Sequence, residues 1–149
     1  MTIIELFQHQ GLQAHGPVAW GEAVPCERAG VYVVSLSPDP ACNTGLPAPE
    51  TLPAELRVRW LAAQTIVYVG KAGGANKSNL SKRVEQFYRH HYGNHSPHRG
   101  GQDVHQLLPD MSLWLFWAPT QDAPRTVERR MLAEFAAKAG HRPFANRQD

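Results

Sequence analysis

The side chains of this sequence that could do chemistry stand at a few separated places. Tyr32 and Tyr68 each lie two residues from a glycine, within Gly30-Val31-Tyr32 and Tyr68-Val69-Gly70. Lys71 follows the second of these runs, Arg83 lies a little further on, and Glu128 opens a helical pattern near the end. Two phenols, two fixed cations and a carboxylate suit hydrolysis of a phosphodiester. That reaction needs an activated water, stabilisation of charge on the phosphoryl oxygens and neutralisation of the leaving oxygen. A divalent cation can do the last two jobs with few protein ligands, because magnesium keeps several waters and takes one or two carboxylates plus phosphate oxygens. Arg83 is the natural phosphate clamp, since its planar fork is permanently charged. A phenol of pKa about 10 is a poor base unless a cation lowers it, and Lys71, Arg83 or a bound metal could be that cation. Each residue also has a plainer reading: a strand tyrosine as core, and Glu128 as a surface carboxylate complementing a helix dipole.

These residues must be positioned by regular elements. Thr2–Gln10 reads as a short helix capped by Thr2, with Ile3, Leu6 and Phe7 on one side. Gly11–Arg28, broken by Pro17 and Pro25, reads as loop. Gly30–Leu36 is a first strand and Ile66–Gly70 a second. Between them lie a proline- and glycine-punctuated loop, Pro38–Pro49, and a helix over Thr51–Ala63 with Leu52, Leu56, Trp60 and Ala63 at helical spacing. Asn79–His91 is the best amphipathic helix, with Leu80, Val84, Phe87 and His91 in one stripe. Gly93–Gly101 is a polar loop and Gln102–Leu108 a short helix. Met111–Trp117 is a third strand, apolar on both faces and so central in its sheet. There the Trp114, Phe116 and Trp117 cluster reads as sheet core before a base-stacking platform. The last helix runs over Thr126–Ala139, capped by Thr126 and ended by Gly140, which puts Glu128 in its first turn. The expected fold is a small α/β (α+β) domain with a mainly antiparallel three-stranded sheet flanked by helices. One domain is expected from 149 residues. Residues 1–29 would be an extension packed on a domain of residues 30–149, with an insertion at about 37–64.

The net charge of +2 is unevenly spread. Between Lys71 and Gly101 six cations (Lys71, Lys77, Lys82, Arg83, Arg89, Arg99) face one acid, Glu85, a local +5 that leaves −3 for the rest. Such a patch suits a polyanion, or is a solvated basic face. Lys77, Lys82, Arg89, His98 and Arg99 are the candidate nucleic-acid contacts. His90, His91, His95 and His98 match no zinc spacing and have no cysteine near. Gly70-Lys71-Ala72-Gly73-Gly74 lacks the GK[ST] ending of a P-loop. Cys26 and Cys42 form no CxxC pair and read as free thiols. The longest apolar run, Leu113–Ala118, is too short to cross a membrane, and the N-terminus lacks the basic start of a signal peptide. A cytoplasmic protein is expected, with no membrane partner.

In order, Gly30-Val31-Tyr32, Tyr68-Val69-Gly70, Arg83 in the next helix, Glu128 with Met131-Leu132, then Pro143 and Asn146 resemble the signature of the GIY-YIG nuclease family. Tyr-Val-Gly-Lys-Ala at 68–72 is most similar to the N-terminal nuclease domain of UvrC-type repair enzymes. The resemblance spans about Gly30 to Asn146. It implies a metal-dependent endonuclease acting on DNA, or a binding module of the same fold that has lost turnover. Glu128 would hold one magnesium or manganese ion. Tyr68 or Tyr32 would act as general base or orient the attacking water. Arg83 and Lys71 would bind the scissile phosphate, and Asn146 would support the site near Glu128. DNA specificity would come from the insertion, the histidine loop, a homodimer or a separate partner. The chain departs from the family pattern in three ways. The gap between Tyr32 and Tyr68 is long. Phe87 stands where many members carry His or Tyr. The spacing from Glu128 to Asn146 is long too, and Glu134 would fit the usual one.

Overall fold

The computed structural model describes residues 1–74, 77–89 and 99–147, with backbone alone at 99 and 100. The histidine loop expected at His90, His91, His95 and His98 lies outside the described residues, as does the Arg99 side chain.

Among the described residues the sheet has four strands: β1 (His15–Ala19), β2 (Gly30–Ser35), β3 (Ile66–Ala72) and β4 (Trp114–Pro119), in the order β1-β4-β2-β3 and antiparallel throughout. The expected count of three omits β1, which arises within the stretch read as loop. Pro17 explains why. A proline cannot donate to a ladder, so it is tolerated only on an edge strand or at a bulge. β1 has both: it pairs with β4 alone, and its register slips between His15 and Val18. β4 is central and buried, as its two apolar faces imply.

The alternation of side chains along β2 and β4 builds two cores. Val31, Val33, Phe116 and Ala118 face α1 (Ile3–Gln8) and α5 (Pro124–Ala139), meeting Ile3, Leu6, Phe7, Val127, Met131 and Phe135. Tyr32, Val34, Leu115 and Trp117 face the other way, against Leu80, Val84 and Phe87 of α3 (Leu80–Arg89) and Val104 of α4 (Arg99–His105). The domain is thus three layers, helices on both faces of one sheet. Phe116 and Trp117 are sheet core, and Cys26 and Cys42 are free thiols.

Three helices differ from expectation. α4 runs over Arg99–His105, three residues earlier than the helix expected over Gln102–Leu108, and takes in the end of the stretch read as loop. α2 is a single turn, Ala54–Arg57, not a helix over Thr51–Ala63. Leu52 and Leu56 reach the core across that one turn, and the Arg57 guanidinium bonds the carbonyls of Pro49, Glu50 and Leu52. α5 begins at Pro124, which suits a first helical position because it has no N–H to satisfy. Ala123 therefore precedes the helix and Thr126 does not cap it. Glu128 falls in the second turn, where the field of the helix end is weaker. The strand expected over Met111–Trp117 runs over Trp114–Pro119, while the cap of α1 and the stop of α5 operate as read. Thr2 and Glu5 form a reciprocal capping box on α1, and Gly140 ends α5 at a φ of +99°.

Candidate active site

Tyr32 and Tyr68 stand on adjacent strands of the face covered by α3. Their ring centroids are 6.1 Å apart. The register pairs Tyr32 with Gly70 and Val34 with Tyr68. Gly70 has a steric reason: a Cβ there would lie 2.4 Å from Cζ and 2.6 Å from the hydroxyl of Tyr32. Gly30 is equally constrained, since its Cβ would meet the Ala118 carbonyl at 2.2 Å and Leu80 Cδ1 at 2.9 Å. The glycine flanking each tyrosine is thus what lets β2, β3 and α3 approach closely enough to bring the phenols together.

Both phenols are buried, and burial is the main cause that pushes each above the ordinary tyrosine value. The carboxylate of Glu128 pushes both further up, while the Arg83 guanidinium pulls both down. Two elements on opposite faces of the sheet therefore act on the same pair of hydroxyls. The neighbouring Tyr68 phenol also pushes Tyr32 up, and the Tyr32 hydroxyl is fully buried. Lys71 lies beyond the tyrosines on β3, with its Nζ 3.9 Å from Glu128 Oε1. Arg83 is half-buried and donates to Gln86 Oε1 at 3.3 Å.

Asn146 reaches the site by another route. Its Nδ2 donates to the Val69 carbonyl at 2.8 Å, and its Oδ1 accepts from the Val69 N–H at 2.9 Å. It braces the strand that carries Tyr68. Glu134 is elsewhere: it contacts His9 and accepts from Gln10 Nε2 at 3.2 Å, tying α5 to α1. Glu128, not Glu134, is the carboxylate of the tyrosine cluster.

Phe87 is fully buried against both phenols. Its ring lies 5.1 Å from that of Tyr68 at 13°, and 5.6 Å from that of Tyr32 at 62°. The neighbouring Tyr88 points away, donating to the Glu22 carbonyl at 2.8 Å and packing on Trp20. The first turn of α3 is closed by backbone and one side chain: Leu80 N–H donates to the Arg28 carbonyl, Ser81 N–H to the Cys26 carbonyl, and Lys82 N–H to Asn79 Oδ1. Its amides are therefore engaged, and an anion beside α3 would have to be met by side chains.

Among the candidate nucleic-acid contacts, Lys77, Lys82 and Arg89 are exposed. Lys77 holds a φ of +53°, and Arg89 is paired with Glu85 one turn earlier. Two cations were not singled out by sequence: Arg125 and Arg129 are exposed on α5, three residues before and one after Glu128. Their signal was positional, but it depends on knowing that Glu128 belongs to the site. The cavity of about 590 Å³ between α1 and Pro40 includes none of these residues.

One carboxylate suits a hard, largely hydrated ion, since magnesium at such a site takes most of its ligands from water and phosphate. Among the described residues no group of three His, Cys, Asp or Glu side chains converges. Glu128, with its side chain 17% exposed, has the donor chemistry for such an ion. No protein-family model, curated protein or solved structure matches the chain. No helix among the described residues is long and apolar enough to cross a membrane.

Proposed function

We propose that the protein is a metal-dependent endonuclease that hydrolyses DNA phosphodiesters at a single-metal site of the GIY-YIG type. One observation carries the reading: Tyr32 and Tyr68 lie side by side on β2 and β3, and Arg83 of α3 and Glu128 of α5 both bear on that pair. Lys71 brings a cation to within 3.9 Å of Glu128.

Magnesium or manganese at Glu128 would supply Lewis-acid stabilisation of phosphoryl charge and lower the pKa of a water. Arg83 and Lys71 would bind the non-bridging oxygens of the scissile phosphate. Tyr68, less deeply buried than Tyr32, would orient the attacking water. In the ligand-free protein its phenol stays protonated at neutral pH, so it acts there as a hydrogen-bond donor rather than a base.

A binding module of the same fold without turnover is the second reading. It is favoured by Phe87, an apolar ring packed against both phenols. Plasmid and branched DNA, incubated with the protein in magnesium, manganese or EDTA, separate the two. Nicking in either metal, absent in EDTA and reduced in Arg83→Ala, is the expected result. Salt-sensitive binding with no cutting under any condition would leave only the binding module.

A further inference from the structure

The sheet edge beside Tyr68 is closed by the C-terminal segment. β3 is an outer strand. On its free side Ala145 N–H donates to the Val67 carbonyl at 2.9 Å, and Asn146 takes both backbone groups of Val69. The residues on either side of Tyr68 are thus held by positions 145 and 146. That segment is itself anchored. Arg147 donates through Nε at 3.0 Å and Nη2 at 2.9 Å to the two carboxylate oxygens of Asp103 on α4. Asp103 is almost completely buried, its side chain 4% exposed. Arg59 of the insertion donates to the same carboxylate at 2.7 Å. Arg59 also lies over the ring of Phe144, at 5.6 Å, and Trp60 packs edge-on against that ring at 5.2 Å. A buried carboxylate must be paired, and a fork-to-fork arginine contact fixes geometry as well as charge.

We propose that Asp103 and Arg147 are positioning residues of the tyrosine site. Their two-point contact holds Asn146 against Val69, and so sets where Tyr68 stands relative to Glu128 and Arg83. Arg59 shares the carboxylate, which gives the insertion between β2 and β3 a mechanical part in the site. This rests on the nuclease reading above.

Arg147, nearly half exposed, can be changed with less risk to folding than Asp103, so Arg147→Ala and Arg147→Lys are compared with Asp103→Asn. Two readouts are taken: amide exchange at Val69 relative to Val33, and kcat against KM for DNA nicking. In all three variants, Val69 exchange should accelerate while Val33 stays protected. kcat should fall roughly tenfold to a hundredfold with KM nearly unchanged, as expected for a misplaced group that does not bind substrate. Lysine should not rescue, because it lacks the planar fork. Asn146→Ala added to Arg147→Ala should cost little more, since both act through one contact. Unchanged Val69 protection in Arg147→Ala and Asp103→Asn would overturn the proposal. So would a raised KM with a shallower salt dependence and unchanged kcat, which would mark Arg147 as a phosphate contact. A wild type that cuts no DNA in any metal would remove the nuclease reading and the catalytic half of the proposal, and the exchange data would still decide the mechanical link.

Discussion

Glycine at position 70 and tyrosine at position 32 constrain each other. The Tyr32 ring fills the space a Cβ at Gly70 would occupy, and it is packed against Phe87 and Tyr68, so it has nowhere to retreat. Gly70→Ala should therefore cost about 1–3 kcal/mol, the usual scale for overpacking a dense core. Chemical denaturation can check this, and a variant as stable as the wild type would mean the ring moves freely. The residues that the fold gathers around Tyr32 and Tyr68 were legible because their signal is local: tyrosine and glycine two apart in a β-branched run, and an arginine at the start of an amphipathic helix. Asp103 was not legible. Its partners Arg59 and Arg147 each lie 44 residues away in sequence, and only the fold brings them to one buried carboxylate. Phe87 changes meaning in the same way. In sequence it is a missing polar group, whereas in the fold it is the apolar plate that keeps the two phenols dry.

At the level of elements, α3 and α5 lie on opposite faces of the sheet yet both bear on the tyrosines. The strands β2, β3 and β4 and the helices α1, α3 and α5 were readable from period and propensity. β1 was hidden by Pro17, whose cost an edge position removes. The helix expected over Thr51–Ala63 is a single turn, after which the Arg59 and Trp60 N–H groups return to carbonyls three residues back instead of continuing the helical ladder. The start of α5 at Pro124 gives Arg125 and Arg129 exposed positions flanking Glu128. If DNA crosses this site, these arginines meet phosphate. The double variant Arg125→Ala/Arg129→Ala should weaken binding across sequences. It should also lower the slope of log K against log salt by about 0.9 for each phosphate that an arginine no longer neutralises. An unchanged slope would exclude α5 from the interface.

Over the whole molecule, the buried phenols link folding to alkaline pH. Tyr32, Tyr68 and Tyr88 are all raised by burial, so the folded chain keeps protons that the unfolded chain releases near pH 10. Their contribution to stability is intact below that pH and is lost as pH rises above it toward the folded values. The denaturation midpoint should therefore fall between about pH 9 and 12, and Tyr68→Phe should flatten the fall. In a titration that follows phenolate absorbance, most of the signal from the four tyrosines should appear only with unfolding. Ionisation of all four near pH 10 in the folded protein would contradict the burial on which the site is built.

The central claim is that Glu128 is the metal-holding carboxylate of a DNA-cutting site. Its most direct test is the initial rate of plasmid nicking in magnesium by Glu128→Ala beside the wild type, with folding of both checked by circular dichroism. Metal-dependent nicking by the wild type, with a loss of about a hundredfold or more in Glu128→Ala, is the predicted result. Equal metal-dependent nicking by the two proteins would contradict it.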